Sequence, residues 1–131
     1  MPFLFEVLFI VSLFPITLAF IGGYLRFRQF GRFDNHHPRL QQAQMSGIGA
    51  RVLGAQKNAW EALVFYAVMC FLAQVSMVDL TDLSYAAGLF LLSRIAHPLF
   101  YMLDMHTYRS LVFMIGWFSC LYIGLRAVMS L

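Results

Sequence analysis

The sequence predicts an all-α integral membrane protein built as a bundle of four transmembrane helices. Three observations carry that expectation. The chain of 131 residues is 61% hydrophobic and only 11% charged, whereas a soluble domain carries roughly 25% charged residues. Its 14 Phe and 8 Met leave too little polar surface to cover a water-soluble globule. Four apolar segments, at about residues 3–25, 59–78, 83–103 and 108–130, each approach or exceed the roughly 20 residues that a helix needs to cross a bilayer. No low-complexity stretch or composition change divides the chain, so residues 1–131 read as a single domain.

The first span contains Pro15, which a membrane helix tolerates with a local bend. Thr17-Leu18-Ala19 loosely resembles a leader cleavage site, but no Lys or Arg precedes the apolar run, so a retained span is expected. A polar loop follows at about residues 26–50. Within it Asp34-Asn35 favours a turn, and Pro38 pushes His37 out of helical geometry. Residues 31–38 are therefore expected as loop, with the second helix starting between Pro38 and Gly49 and projecting before it enters the bilayer near Ala59. The third and fourth spans are separated by a short turn holding His106 and leading to Arg109.

Charge sets the expected orientation. Arg26, Arg28, Arg32, Arg39, Arg51 and Lys57 cluster between the first two spans, while the second turn carries Asp79 and Asp82 without a cation. By the positive-inside rule the large loop faces the cytoplasm and both termini face the opposite side. Arg126 is the exception, and a snorkelling side chain accommodates it. The net charge of +3 comes without a basic helix or an aromatic-interleaved patch, so nucleic acid is not an expected partner. His36-His37 has no third ligand at a suitable spacing, so no metal is expected. Cys70 and Cys120 lie inside spans and read as inert packing.

Two polar faces interrupt the apolar spans. On the second helix, Arg51, Asn58 and Glu61 fall within about 80° of one another and share their side with Gly54, Ala55 and Ala62. Gln56 and Trp60 point elsewhere. Small residues let a second backbone approach, or leave room for a ligand. An unpaired Glu61 inside the apolar run would cost about 2.5–3.5 kcal/mol, and Arg94 is the one basic residue expected at comparable depth. On the third helix, Arg94, His97, Tyr101 and Asp104 recur at helical spacing. Pro98 removes the amide that would bond the Arg94 carbonyl. Tyr108-Arg109 opens the fourth helix, whose free amides and positive dipole end attract an anion such as a thiolate. Together these faces suggest a polar cavity open toward the cytoplasm. From the second helix alone an inter-helix clamp is an equal reading; the two faces together favour the cavity.

The stretch "AQKNAWE", Ala55 to Glu61, resembles the Arg-Ala-(Gln/His)-x-Asn-x-x-Glu motif of the membrane-associated proteins in eicosanoid and glutathione metabolism, the MAPEG superfamily. "RFR" after the first span, "RIAHPLFY" in the third and "YRSL" opening the fourth support the resemblance, which covers essentially the whole chain. Asp34 to Arg39 is similar to bacterial members, and with it comes an expected place in a bacterial inner membrane. The resemblance implies a homotrimer that binds reduced glutathione between subunits near the cytoplasmic face. By matching positions, Arg26, Arg51, Gln56, Asn58, Glu61, Arg94, Tyr101 and Arg109 would contact glutathione.

The implied activity is that of a glutathione transferase or peroxidase acting on lipophilic electrophiles or lipid hydroperoxides. Arg109 would stabilise the thiolate and Tyr101 would assist by hydrogen bonding. One position departs from the family: where Arg commonly stands directly before Ala-Gln, this chain has Gly54, with Arg51 nearly one turn earlier. Altered glutathione binding is expected, and a non-catalytic binding role is the alternative. A small four-span exporter would need a carboxylate within its first span, and Glu6, near the membrane edge, is the only candidate.

Overall fold

The structure, a computed structural model, describes residues 1–130. Along the chain come α1 (Phe3–Ser12), α2 (Phe14–Phe30), the short α3 (Pro38–Ala43), α4 (Gly47–Val75), a 3-10 turn (Leu80–Leu83), α5 (Ser84–Met102) and α6 (His106–Val128). Four candidate spans result: Phe3–Phe30, Gly47–Val75, Leu80–Met102 and His106–Val128. The protein is thus an all-α four-helix bundle of membrane-spanning length.

Local chemistry explains the breaks. Pro15 has no amide to offer the Val11 carbonyl; the helix yields at Leu13, whose N–H bonds back to the Ile10 carbonyl at 3.2 Å. Gly31, at φ 70°, closes α2 by donating to the Phe27 carbonyl at 2.8 Å, a left-handed cap that glycine adopts without penalty. The first span therefore runs to Phe30, five residues beyond its expected end at 25. The second helix begins at Gly47, 12 residues before Ala59, which is about 18 Å of rise. Pro38 does not end the loop passively: it starts α3, where a missing amide costs nothing.

The loop is organised by side chains. Asp34 accepts the backbone N–H groups of His36 and His37, both at 2.9 Å. The Gln41 amide donates to the Arg32 carbonyl at 2.9 Å and accepts the Asp34 N–H at 3.1 Å. Gln29 ties the end of α2 to the start of α4 by accepting the Ser46 N–H at 3.2 Å.

Antiparallel pairing follows from contacts at the two ends. The Arg51 Nε donates to the Met102 carbonyl at 3.1 Å, joining the start of α4 to the end of α5. At the opposite end Arg126 lies 3.6 Å from Asp82. The main core sits in the half of the bundle away from the polar loop, where Leu4, Val7, Tyr66, Cys70, Phe90 and Ile123 are buried together. Tyr66 stacks on Phe90 with centroids 4.2 Å apart, and its hydroxyl donates to the Leu4 carbonyl at 3.0 Å. A buried tyrosine thereby keeps both its ring and its polar end satisfied. Phe9, Phe20, Phe71, Leu92 and Phe118 stay exposed, as expected where the outer medium is lipid rather than water.

The α5–α6 turn is strained at one residue. Asp104 stands at φ 60°, donating to the Tyr101 carbonyl at 3.2 Å while Met105 donates to the Phe100 carbonyl at 2.9 Å. This pair of bonds is the Schellman closure, usually built on glycine. Asp104 also lies 3.9 Å from Arg51. Because a β-branched residue is a poor occupant of left-handed backbone, Asp104→Val should lower thermal stability by about 1–2 kcal/mol, whereas Asp104→Gly should not. Unfolding of the purified variants in detergent measures the difference.

The hydrogen bonds from His37 and His36 hold the Asp34 carboxyl below its ordinary range. A depressed folded-state value means that this cap is fully present above the unfolded value of about 4 and is lost as pH falls through the folded one. Protection of the His36 and His37 amides from hydrogen exchange should therefore disappear in strong acid. Asp34→Ala should remove that protection at every pH.

Candidate functional site

Three helices present the same spacing to one groove. Gly54, Asn58, Glu61 and Phe65 on α4, Phe90, Arg94, His97 and Tyr101 on α5, and Arg109, Phe113, Gly116 and Cys120 on α6 all line it. Each set recurs at i, i+4, i+7 and i+11, one face of a helix over about 16 Å. Since α5 runs opposite to its neighbours, the sets meet in layers. Tyr101 meets Gly54 and Arg109 nearest the polar loop. His97 faces Phe113 with centroids 6.4 Å apart, and Arg94 meets Asn58 and Gly116. Phe65 and Phe90 line the far end. The outer part has a volume of about 470 Å³ and the inner part about 210 Å³; Asn58, Glu61 and Phe113 line both.

Arg94 is the buried charge of the site, 4% exposed. It donates from Nη1 to Asn58 Oδ1 at 3.1 Å and from Nε to Ser93 Oγ at 3.2 Å. The Ser93 hydroxyl in turn donates a hydrogen bond to the Phe90 carbonyl at 2.7 Å. The guanidinium carbon lies 5.5 Å from the Phe90 ring centroid. On its other side is Gly116, where a Cβ would lie 2.8 Å from Nη2 and 3.3 Å from Cζ. A larger residue on α6 would thus evict the cation. Sequence reasoning missed Gly116 and Phe113, although the spacing from Arg109 puts both on its face.

The structure does not pair Glu61 with Arg94, the one basic residue expected at its depth. Its carboxylate is exposed to the groove, and among the described residues no carboxylate lies within 4.0 Å of Arg94. The physical reason is that Asn58, one turn earlier on α4, takes the hydrogen bond that Glu61 was expected to take. Glu61 and Arg94 instead line the same cavity as separate charges.

Arg109 sits on the first turn of α6 with Cζ 4.4 Å from the Tyr101 ring centroid, a cation–π distance. Among the described residues no side chain or carbonyl accepts from its guanidinium, so its donors remain free. Lys57 and Ser110 complete the mouth. His97, 5% exposed, packs against Tyr101 edge-on with centroids 5.6 Å apart.

Three expected contacts lie away from the groove. Arg51 is drawn to the end of α5, with the Met102 carbonyl and Asp104 as partners, so it does not stand in for a side chain at position 54. It shares a face with Asn58 but lies seven residues earlier, about 10 Å along the axis, level with the point where α5 ends. Asp104 likewise leaves the stripe, because α5 stops at Met102 and the chain turns left-handed. Arg26, on α2, is turned to the loop: Nη1 donates to the Pro38 carbonyl at 3.4 Å and Cζ lies 5.1 Å from the Phe33 centroid. Gln56 is half-exposed on another side of α4. Asn58, Glu61, Arg94, Tyr101 and Arg109 are the expected contacts that the fold brings together.

Both cysteines are free and buried, and no group of three or more His, Cys, Asp or Glu converges among the described residues. Three separated cations, one carboxylate, an amide, a phenol and an imidazole can bind a zwitterion carrying more than one carboxylate. The aromatic far end can admit an apolar group.

No curated protein and no solved structure matches the chain. The model of the MAPEG family matches residues 4–129, nearly the full length and all four spans. With that coverage, the chain belongs to the MAPEG family.

Proposed function

We propose that the groove binds reduced glutathione and presents its thiolate to a lipophilic electrophile or lipid hydroperoxide entering from the bilayer. The single observation that carries this reading is the free Arg109 guanidinium at the start of α6, held over Tyr101 above a cavity that also contains Arg94 and Glu61. Glutathione has two carboxylates, one ammonium and one thiol. Arg94 with Asn58, together with Lys57, supplies the donors for carboxylates, and Glu61 supplies the acceptor for the ammonium.

A free thiol ionises near pH 8.5. A cation at the positive end of a helix favours the charged form, which makes Arg109 the activating group and Tyr101 a hydrogen-bond donor to sulfur. In transfer, the sulfur lone pair attacks the electrophilic carbon and the leaving group departs with its bonding pair. In reduction of a hydroperoxide, two glutathione molecules become the disulfide, and the peroxide becomes an alcohol and water. Phe65, Phe90, Phe113 and Trp117 would receive the apolar part of the second substrate.

Arg26 and Gln56 lie on other sides of the chain, so their expected part in the site requires a neighbouring copy, as the homotrimer proposed here would supply. The orientation proposed from charge puts the Arg109 mouth at the cytoplasmic face, where the reduced thiol is available. A non-catalytic binding role is the second reading, favoured by Gly54 in place of the family's arginine.

Removing Arg109 should raise the ionisation value of bound thiol by about 1–3 units. Calorimetric titration with glutathione and thiolate absorbance at neutral pH, on wild type and Arg109→Ala, test this. Binding with thiolate formation in the wild type and its loss in the variant is the expected result. Unchanged thiolate absorbance in Arg109→Ala would remove the assignment, and binding without turnover of an electrophile panel would favour the second reading.

A further inference from the structure

Gly54 opens the groove ladder of α4 with no side chain, and the space above it is filled. A Cβ there would lie 2.7 Å from Cζ and 3.1 Å from Cε1 of Tyr101, and closer still to the phenolic oxygen. The span glycines divide in this respect: Gly23 has open space around it and Gly22 would meet Val52 at 3.6 Å, whereas Gly49, Gly116 and Gly124 are filled closely by Met45, Ser93 and Met69; at Gly54 the filling group is an aromatic ring that itself carries a cation. The Tyr101 phenol therefore rests directly on the α4 backbone. Its ring also carries the Arg109 guanidinium at 4.4 Å, and the His97 ring packs edge-on at 5.6 Å. A guanidinium held by a ring face gives up none of its N–H donors, so this support leaves Arg109 free to meet an anion.

We infer that Gly54 is a positioning residue: the absence of a side chain seats the Tyr101 phenol against α4, and the seated ring fixes Arg109 at the mouth of the groove. The inference deepens the glutathione reading and, for its chemical consequence, rests on it. The departure at position 54 then exchanges a cation on α4 for a phenol delivered from α5. The guanidinium at the mouth comes from α6, beside Lys57 of α4, and the hydroxyl comes from across the groove. Any side chain at 54 pushes the ring off its seat and moves Arg109 with it. The neighbouring Arg51 cannot compensate, since it is committed to the Met102 carbonyl and Asp104.

The test uses the full chain in detergent with a fluorinated tyrosine at position 101. Gly54→Ala should move the fluorine resonance of residue 101, while Gly23→Ala, which meets open space, should leave it in place. In the unlabelled protein Gly54→Ala should lower the fraction of bound glutathione present as thiolate. That loss should be about tenfold larger with Tyr101 present than in a Tyr101→Leu background, the signature of two coupled positions. Gly54→Ser serves as a second variant if the alanine protein is poorly folded. An unmoved resonance in a folded Gly54 variant overturns the seat, whatever the protein binds. A moved resonance together with equal thiolate loss in both backgrounds overturns the link to Arg109. A moved resonance in a protein that binds no glutathione upholds the seat and removes the glutathione reading instead.

Discussion

The arrangement of this bundle depends on one buried cation. Arg94 sits inside the spans at 4% exposure with no carboxylate against it among the described residues, where an uncompensated charge costs about 2.5–3.5 kcal/mol on insertion scales. The surrounding helices each give something to reduce that cost. On α4 it is the Asn58 carbonyl oxygen, on α5 the Ser93 hydroxyl and the Phe90 ring, and on α6 a glycine that lets the guanidinium lie flat. These requirements set how closely α4, α5 and α6 pack and which faces they turn toward one another. None of the partners is itself an anion, so the site keeps a net positive character that a ligand can use.

That charge divides the groove chemically along its length. Toward the polar loop the layers hold Arg109, Tyr101, His97, Lys57 and Glu61; away from it they hold Phe65, Phe90 and Trp117. A cavity that is polar at one end and aromatic at the other suits a reaction between a water-soluble zwitterion and a membrane-soluble partner. The polar loop lies at the same end of the bundle and is held by its own hydrogen bonds, through Asp34, Gln41 and Gln29. The opposite end is closed by the core around Tyr66.

Much of the fold was legible because membrane helices announce themselves by length and apolarity. The four spans were each found, and errors fell at ends decided by single hydrogen bonds, such as the left-handed cap at Gly31 that lets α2 run to Phe30. The faces bearing Asn58 with Glu61 and Arg94 with Tyr101 were legible from helical spacing alone. Arg51 and Asp104 were assigned to those faces too, because periodicity carries angle but not height, and both lie where α5 has already ended. Arg94 was the cation that the sequence offered Glu61 at its depth, but a cation meets every acceptor nearby, and Asn58 takes its hydrogen bond.

The sequence by itself determined that the chain carries four helices long and apolar enough to cross a membrane, and which helix faces are polar. Both follow from composition and a period of about 3.6 residues per turn. Only the tertiary structure decided what those faces meet. Gly54 reads as a missing arginine in the sequence and as the seat of Tyr101 in the fold. Gly116 is unremarked in the sequence and is the floor beneath Arg94. A glycine contributes no side chain of its own, so its role is defined by the neighbour that fills its space, and that neighbour comes from another helix.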